Sequence, residues 1–267
     1  MAFRLTLPFR GYGNDNMLIG GRAHSLKEVT CVGEARLDFA EINLFNPHHS
    51  FREIPPLLKL KEEFNFFFTV HGPEEGNPFD CQELKIKLLP QIKVLFDFAH
   101  ELDVKLVTVH FWLDQRFIEK TVIMDKLSIL EEMMNLALKK RTTLCLENLS
   151  ERPEDYEQVF RKFPQIGLTL DIGHGELLTA KNTSYSLIET YAERIKHIHI
   201  HDNYGGDTPA DDLHLPLGQG NIAFKPILLA LCKSGYNKTI TLEVPPQSLK
   251  QGKEILGKML NIYQHHN

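Results

Sequence analysis

Eight short β-prone runs, most of them separated by a helix-sized segment, constrain this 267-residue chain more than any other feature of it. The runs occupy residues 17–20, 38–45, 66–71, 105–110, 143–147, 166–171, 195–201 and 239–243. Between them, apolar residues fall at helical spacing: Ile92, Leu95, Phe98, Ala99 and Leu102 after Pro90, then Leu127, Leu130, Met134 and Leu138, and at the end Leu249, Ile255, Leu256, Met259, Leu260 and Tyr263. Further helices are predicted from Ser25, a good N-cap residue, to Ala35, and over 51–62, 154–163, 185–194 and 225–233. Strand–helix alternation implies right-handed βαβ units, and eight of them close most naturally into a (β/α)8 TIM barrel of the α/β class, in one domain. An open doubly wound sheet is the alternative, but it would usually carry a Gly-rich phosphate loop after its first strand, and no GxGxxG occurs. Residues 1–16 do not fit the repeat and are expected to form an N-terminal extension to a barrel of residues 17–267.

The seventh run is unusual. Ile198 and Ile200 alternate with His197, His199 and His201, so a strand here places three imidazoles on one face. Imidazoles line an apolar core poorly but suit a mouth where a metal or substrate sits. The loop that follows carries Asp212 and His214 two residues apart. The third to eighth runs carry, at or near their ends, His71, His110, Glu147, Asp171, His199 and Glu243. In a parallel barrel these ends share one face, where active sites are built. Carboxylates ending apolar strands are costly unless cations or donors compensate them. Asp171-Ile-Gly-His174 adds a further imidazole. A nitrogen-and-carboxylate set without cysteine favours zinc, manganese or a similar divalent ion.

Taken singly, each residue has a plainer explanation. A histidine after one strand is more often a satisfied rim residue than a ligand, Asp171 could cap a helix, and Glu147 and Glu243 could be salt-bridged. Their collection at the same end of successive strands argues for a metal centre. His197 is expected a layer deeper and His201 at the rim beside Asp202, while His24, His48, His49, His100, His265 and His266 lack a site-like context.

Composition narrows the setting. A net charge of −5 and a pI near 6.2 give no basic field for nucleic acid. Four scattered cysteines suit a reducing compartment. With neither a leader-like start nor a long apolar run, a cytoplasmic protein without a membrane partner is expected.

The segments Thr69-Val-His-Gly-Pro73, Val107-Thr-Val-His110, Leu144-Cys-Leu-Glu-Asn148, Leu168-Thr-Leu-Asp-Ile-Gly-His174, His197 to Asn203, Asp212 to Ile222 and Thr241-Leu-Glu243, in this order, resemble the xylose isomerase-like TIM-barrel superfamily. That superfamily contains sugar and sugar-phosphate isomerases and epimerases as well as AP endonucleases of the endonuclease IV type. The endonuclease resemblance implies one zinc on His71, His110 and Glu147. It implies a second on Glu147, Asp171, His199 and Glu243, and a third on His174, Asp212 and His214. The isomerase resemblance implies one ion on Glu147, Asp171, His199 and Glu243, with His174 near the substrate and Glu147 and Glu243 passing protons through an ene-diolate. One to three ions are therefore expected. His201, Asn203 and Lys225 are candidate substrate contacts, and Lys225 with the Gly218/Gly220 loop offers a phosphate contact unless that loop is simply solvated. The full ligand set favours a hydrolase. The segment after His71 favours the isomerase, because Glu74 and Glu75 stand where a polyanion would have to pass. A small sugar or sugar-phosphate substrate is the preferred expectation, followed by phosphodiester hydrolysis, a dehydratase or aldolase reaction, and a non-catalytic metal- or sugar-binding barrel.

Overall fold

A computed structural model describes residues 17–44 and 51–264, with side chains to residue 261. The expectations placed on residues 1–16, on Phe45 and on His48, His49, His265 and His266 lie outside these residues. Eight strands and eight longer helices alternate among the described residues: β1 (Leu18–Ala23), α1 (Leu26–Glu34), β2 (Phe39–Asn43), α2 (Ile54–Phe64), β3 (Phe67–His71), α3 (Leu89–Glu101), β4 (Leu106–His110), α4 (Lys120–Lys140), β5 (Thr143–Glu147), α5 (Pro153–Lys162), β6 (Gly167–Asp171), α6 (Ser184–Tyr191), β7 (Ile195–Ile200), α7 (Phe224–Lys233), β8 (Thr239–Leu242) and α8 (Leu249–Gln264). Each strand pairs in parallel with the next, and β8 pairs back onto β1, so the sheet closes as a (β/α)8 barrel. Among the described residues no helix is long and apolar enough to cross a membrane.

Ser25 caps α1 as its chemistry dictates, its hydroxyl accepting the Glu28 amide while the Glu28 carboxylate accepts the His24 amide. The approach to α3 differs from expectation. Helical structure starts at Cys81, capped by the Asp80 carboxylate, and passes through a π-type segment, Leu84–Leu88, before Pro90 falls in the first turn of α3. Proline cannot donate within a helix and its ring crowds the preceding turn, and the Leu89 amide reaching back to the Leu84 carbonyl is the wider turn that accommodates it.

The two faces of the strands differ sharply. Outward residues such as Ala40, Val70, Val107, Leu146, Leu170, Ile198 and Leu242 join one buried cluster with the helices. Each fully buried aliphatic side chain there contributes roughly 1.5–3 kcal/mol. The inward face is largely polar: Glu41, Thr69, Thr108, Thr169, His197, Thr239 and Thr241 are all buried, and the Thr108 and Thr169 hydroxyls lie 2.8 Å apart. TIM-barrel interiors are usually filled by branched aliphatics. Here apolar filling comes at the lower end, where Phe39 stacks on Phe67 with centroids 5.0 Å apart. Gly20 makes room for that stack, because a Cβ there would lie 2.3 Å from the Phe39 ring. A cavity of about 930 Å³ opens at this end, between α1 and α2; its lining holds no histidine, and the clustered imidazoles lie at the other end.

Gly20→Ala should therefore destabilise the barrel by about 1–3 kcal/mol through overpacking. At roughly 2–4 °C per kcal/mol for a chain of this size, thermal melting should show a drop of several degrees. An unchanged melting temperature would mean that the Phe39 ring moves aside freely.

Candidate metal centre at the barrel mouth

The strand registers set Asn43 beside His71, His110 beside Glu147, and Asp171 beside His199, which brings the expected residues to one level. Their ligand atoms fall into overlapping groups, each with all atoms within 4.8 Å of one another. The first is His71, His110 and Glu147; the second is Glu147, Asp171, His199 and Glu243; the third is His174, His201, Asp212 and His214. All nine residues expected to ligate are therefore brought together, and Glu147 belongs to two groups.

Hydrogen bonds fix how the imidazoles face. His71 Nδ1 lies 2.9 Å from the Gly72 carbonyl, His174 Nδ1 3.0 Å from that of Asn148, and His214 Nδ1 3.1 Å from that of Glu243. A carbonyl can only accept, so in neutral His71 and His174 Nδ1 carries the proton and the Nε2 lone pair is turned into the cluster; at His214 the Arg22 guanidinium, which can only donate, competes with the carbonyl for the same Nδ1. The Nε2 atoms then lie 2.9 Å from Glu147 Oε2 for His71, and 3.2 Å and 3.1 Å from Asp212 Oδ2 for His174 and His214. His214 reaches this position from a left-handed backbone, φ 48°, a conformation disfavoured for any side chain beyond glycine.

Charge balance inside the site is tight. Burial alone would raise the Glu147 carboxyl, yet His199 and His110 hold it well below the usual carboxylate range. Burial would lower the His199 pKa, but Glu41, Glu147 and Glu243 raise it well above normal. His110 is likewise pushed up to about 10, against its burial, by Glu147 and Glu74. Protons thus compensate the carboxylates where an ion could do so instead. Several buried atoms also lack any hydrogen-bond partner: Asp171 Oδ2, Asp212 Oδ1 and both ring nitrogens of His201. The two carboxylate oxygens can only accept when ionised, and orphaned acceptors of this kind fit bound cations.

Other expectations need correction. His201 does not sit at the rim as a substrate contact; it is fully buried, with its ring 4.0 Å from that of His214 and Nε2 3.3 Å from Asp171 Oδ1. Gly173 permits this, since a Cβ there would strike the His201 ring at 2.1 Å. Asn203 is also buried, its amide donating to the Gly173 carbonyl and accepting from the Gly205 amide, so it shapes the loop. Lys225 is exposed on the first turn of α7. The Gly218 amide is already bound to Asp202, whose carboxylate also gathers the Asn203 and Ile222 amides, so that loop offers no ready phosphate cradle. His197 lies a layer deeper, as expected, against Thr239 and Thr241.

Three contributors were not anticipated. Glu41, on β2, accepts from His197 and His199. Arg22, at the end of β1, lies 3.4 Å from Glu243 Oε2 and 3.2 Å from His214 Nδ1. Asn148 clamps β5 to β6 by bonding both the carbonyl and the amide of Asp171. The rule that singles out Glu147, a carboxylate inside an apolar strand, applies equally to Glu41 in Phe39-Ala-Glu-Ile42.

The loops after β3, β4 and β5 are tied together beside the site. Glu75 turns inward to pair with the fully buried Lys126 of α4 and accepts the Trp112 amide, so of the two acids after His71 only Glu74 faces the mouth, 3.7 Å from His110 Nδ1. Glu151 accepts the Leu113, Leu149 and Ser150 amides, yet burial still pushes its carboxyl up to about 7. Asp155 accepts the Gln115 amide, and the Ser150 hydroxyl donates to Asp114.

Comparison with known proteins places this architecture. The profile of the xylose isomerase-like TIM barrel matches residues 35–261. The chain belongs to that family. An uncharacterised protein of Methanocaldococcus jannaschii is 28% identical over 250 residues, which cover 86% of this chain and 83% of that one. Among solved structures, a D-tagatose 3-epimerase-like protein superposes with a TM-score of 0.80 at 25% identity, covering 93% of this chain and 99% of its own. An L-ribulose 3-epimerase gives 0.76 at 16% identity over 93% and 96% of the two chains. The IolI protein, solved with a zinc atom, gives 0.72 at 16% over 92% and 99%. At those lower identities the likeness is one of fold.

In chelator-treated protein, the protonated His110 beside Glu147 contributes stability that is complete below about pH 6.5, the ordinary imidazole value. That contribution is lost as the pH rises through about 10. The stability difference between metal-free wild type and metal-free His110→Gln should shift in favour of the variant across this window, as read from melting curves. A divalent ion must displace these protons, so its affinity should rise with pH, with proton release seen by calorimetry in buffers of different ionisation heat. Affinity that stays flat from about pH 6 to 9 would exclude imidazole ligation.

Proposed function

We propose that this protein is an isomerase or epimerase of a sugar or sugar phosphate, dependent on a divalent ion held by Glu147, Asp171, His199 and Glu243. One observation carries the reading: these four side chains, from β5, β6, β7 and the end of β8, are buried with ligand atoms within 4.8 Å of one another, and Asp171 Oδ2 has no hydrogen-bond partner. The likeness to sugar 3-epimerases supports it. Nitrogen and carboxylate donors suit zinc or manganese.

An ion in that position supplies Lewis acidity toward a substrate carbonyl and its neighbouring hydroxyl, which lowers the cost of removing the proton from the carbon between them. The chain's own groups carry the rest. Glu147 Oε1 and Glu243 Oε1 lie 3.0 and 3.6 Å from His199 Nδ1, reaching one centre from strands separated by β6 and β7. Two carboxylates so placed can take a proton from one face of a carbon and return it from the other, which inverts that centre. His199 and Arg22 beside Glu243 favour its ionised form against its burial. Glu74, exposed at the mouth, disfavours a long polyanion and is compatible with a compact substrate.

A second reading, phosphodiester hydrolysis with two or three ions, is favoured by the other two ligand groups, His71 with His110 and Glu147, and His174 with His201, Asp212 and His214.

Elemental analysis of protein purified without chelators tests the choice. One ion per chain, together with interconversion of ketose epimers in a sugar and sugar-phosphate screen, is the expected result. Two or three zinc ions with turnover of small phosphodiesters would move the assignment to the hydrolase. Glu147→Gln and Glu243→Gln should each lower epimerase turnover by about 10²–10⁴-fold. Turnover within a few-fold of wild type in either variant would sink the two-carboxylate mechanism.

A further inference from the structure

Glu41 is a carboxylate on β2, fully buried inside the barrel below the four-residue centre. Three groups converge on its Oε2: His197 Nε2 at 3.0 Å, His199 Nε2 at 3.0 Å and the Thr241 hydroxyl at 2.5 Å. The other end of His197 is also engaged, with Nδ1 2.6 Å from the Thr239 hydroxyl. With both imidazoles neutral, a single arrangement of protons satisfies the contacts at Oε2, while Glu41 Oε1 is buried without a partner. Thr241 and both Nε2–H groups donate to Glu41, and the Thr239 hydroxyl donates to His197 Nδ1. In neutral His199 the free lone pair is then on Nδ1, the atom that faces Glu147 at 3.0 Å, Glu243 at 3.6 Å and Asp171 at 3.8 Å, and an ion there would take the place of the proton that Nδ1 carries without it.

We infer that Glu41 is the positioning residue for His199: it holds the Nε2 proton, presents Nδ1 to the ion and strengthens that nitrogen as a donor. His71 and His174, whose Nδ1 protons face backbone carbonyls, would ligate through Nε2, so His199 is turned the other way round. A carboxylate behind a ligating imidazole raises its basicity more than a carbonyl can. The buried charge of Glu41 is tolerated because three donors surround it. Glu41 with His197 and His199 also has the composition of an ion site of its own. That use is disfavoured because the same oxygen and both Nε2 atoms are spent on one another.

This inference rests on the reading of Glu147, Asp171, His199 and Glu243 as an ion site, and two measurements separate the two. Nitrogen-15 NMR of the histidine rings in zinc-loaded wild type should show His199 with the ion on Nδ1 and a slowly exchanging proton on Nε2. An ion on Nε2 of His199 or His197 would overturn the role of Glu41. In Glu41→Gln, zinc affinity measured by competition with a chromophoric chelator should fall about 10–100-fold, in protein whose melting curve shows it folded. Affinity within twofold of a tightly binding wild type would overturn the inference while leaving the ion site standing. Wild type with no zinc at these four residues would remove both. Should Glu41→Gln fail to fold, the wild-type NMR assignment decides alone.

Discussion

The mutual compensation of buried carboxylates and imidazoles around Glu147 and His199 is the interaction on which the rest of this barrel depends. Six strands end in groups that no apolar interior could hold singly, and the centre is stable because each acid has an imidazole, a guanidinium or an amide against it. The polar lumen follows. With charge at the mouth and Glu41 beneath it, threonine hydroxyls and His197 fill the space that branched aliphatics occupy in most barrels. Packing energy is consequently concentrated in the layer between strands and helices, where the outward aliphatics lie.

That separation of labour explains why the fold was so legible in the sequence. Outward positions repeat valine, leucine and isoleucine every second residue, and the intervening helices carry their own periodicity, so eight runs could be placed from spacing alone. The residues at the strand ends were legible for a related reason, since charged groups closing apolar runs violate the local pattern and mark a site. Less legible were partnerships that depend on register across the barrel. Glu41 and His199 are 158 positions apart, and nothing local to either names the other. His201 illustrates the opposite error: alternation put it on the correct face, but its burial depends on Gly173 from the preceding βα-loop standing aside.

Backbone groups do much of the aiming. The Gly72, Asn148 and Glu243 carbonyls each hold one imidazole, and Asn148 locks Asp171 from both sides. Ligand direction is thus set by backbone at the ends of the sheet, with the left-handed turn at His214 as the point where a loop has to bend to join. A site organised in this way is largely formed before anything binds.

The ties among the loops after β3, β4 and β5 have a consequence for how specificity in this barrel can change. Barrel enzymes are often pictured as scaffolds whose loops vary independently. Here Lys126 and Glu75 belong to different βα units yet share one buried charge balance, and Glu151 and Asp155 serve amides contributed by the neighbouring loop. Grafting any one of these loops from a relative would strand a charge or a donor without its counterpart. Diversification of this rim has to proceed by exchanging the three loops as a block, and the loop carrying Asp212 and His214 is bound in the same way to the loop after β6, through the Leu178 amide on the Gly206 carbonyl and Asn203 on that of Gly173.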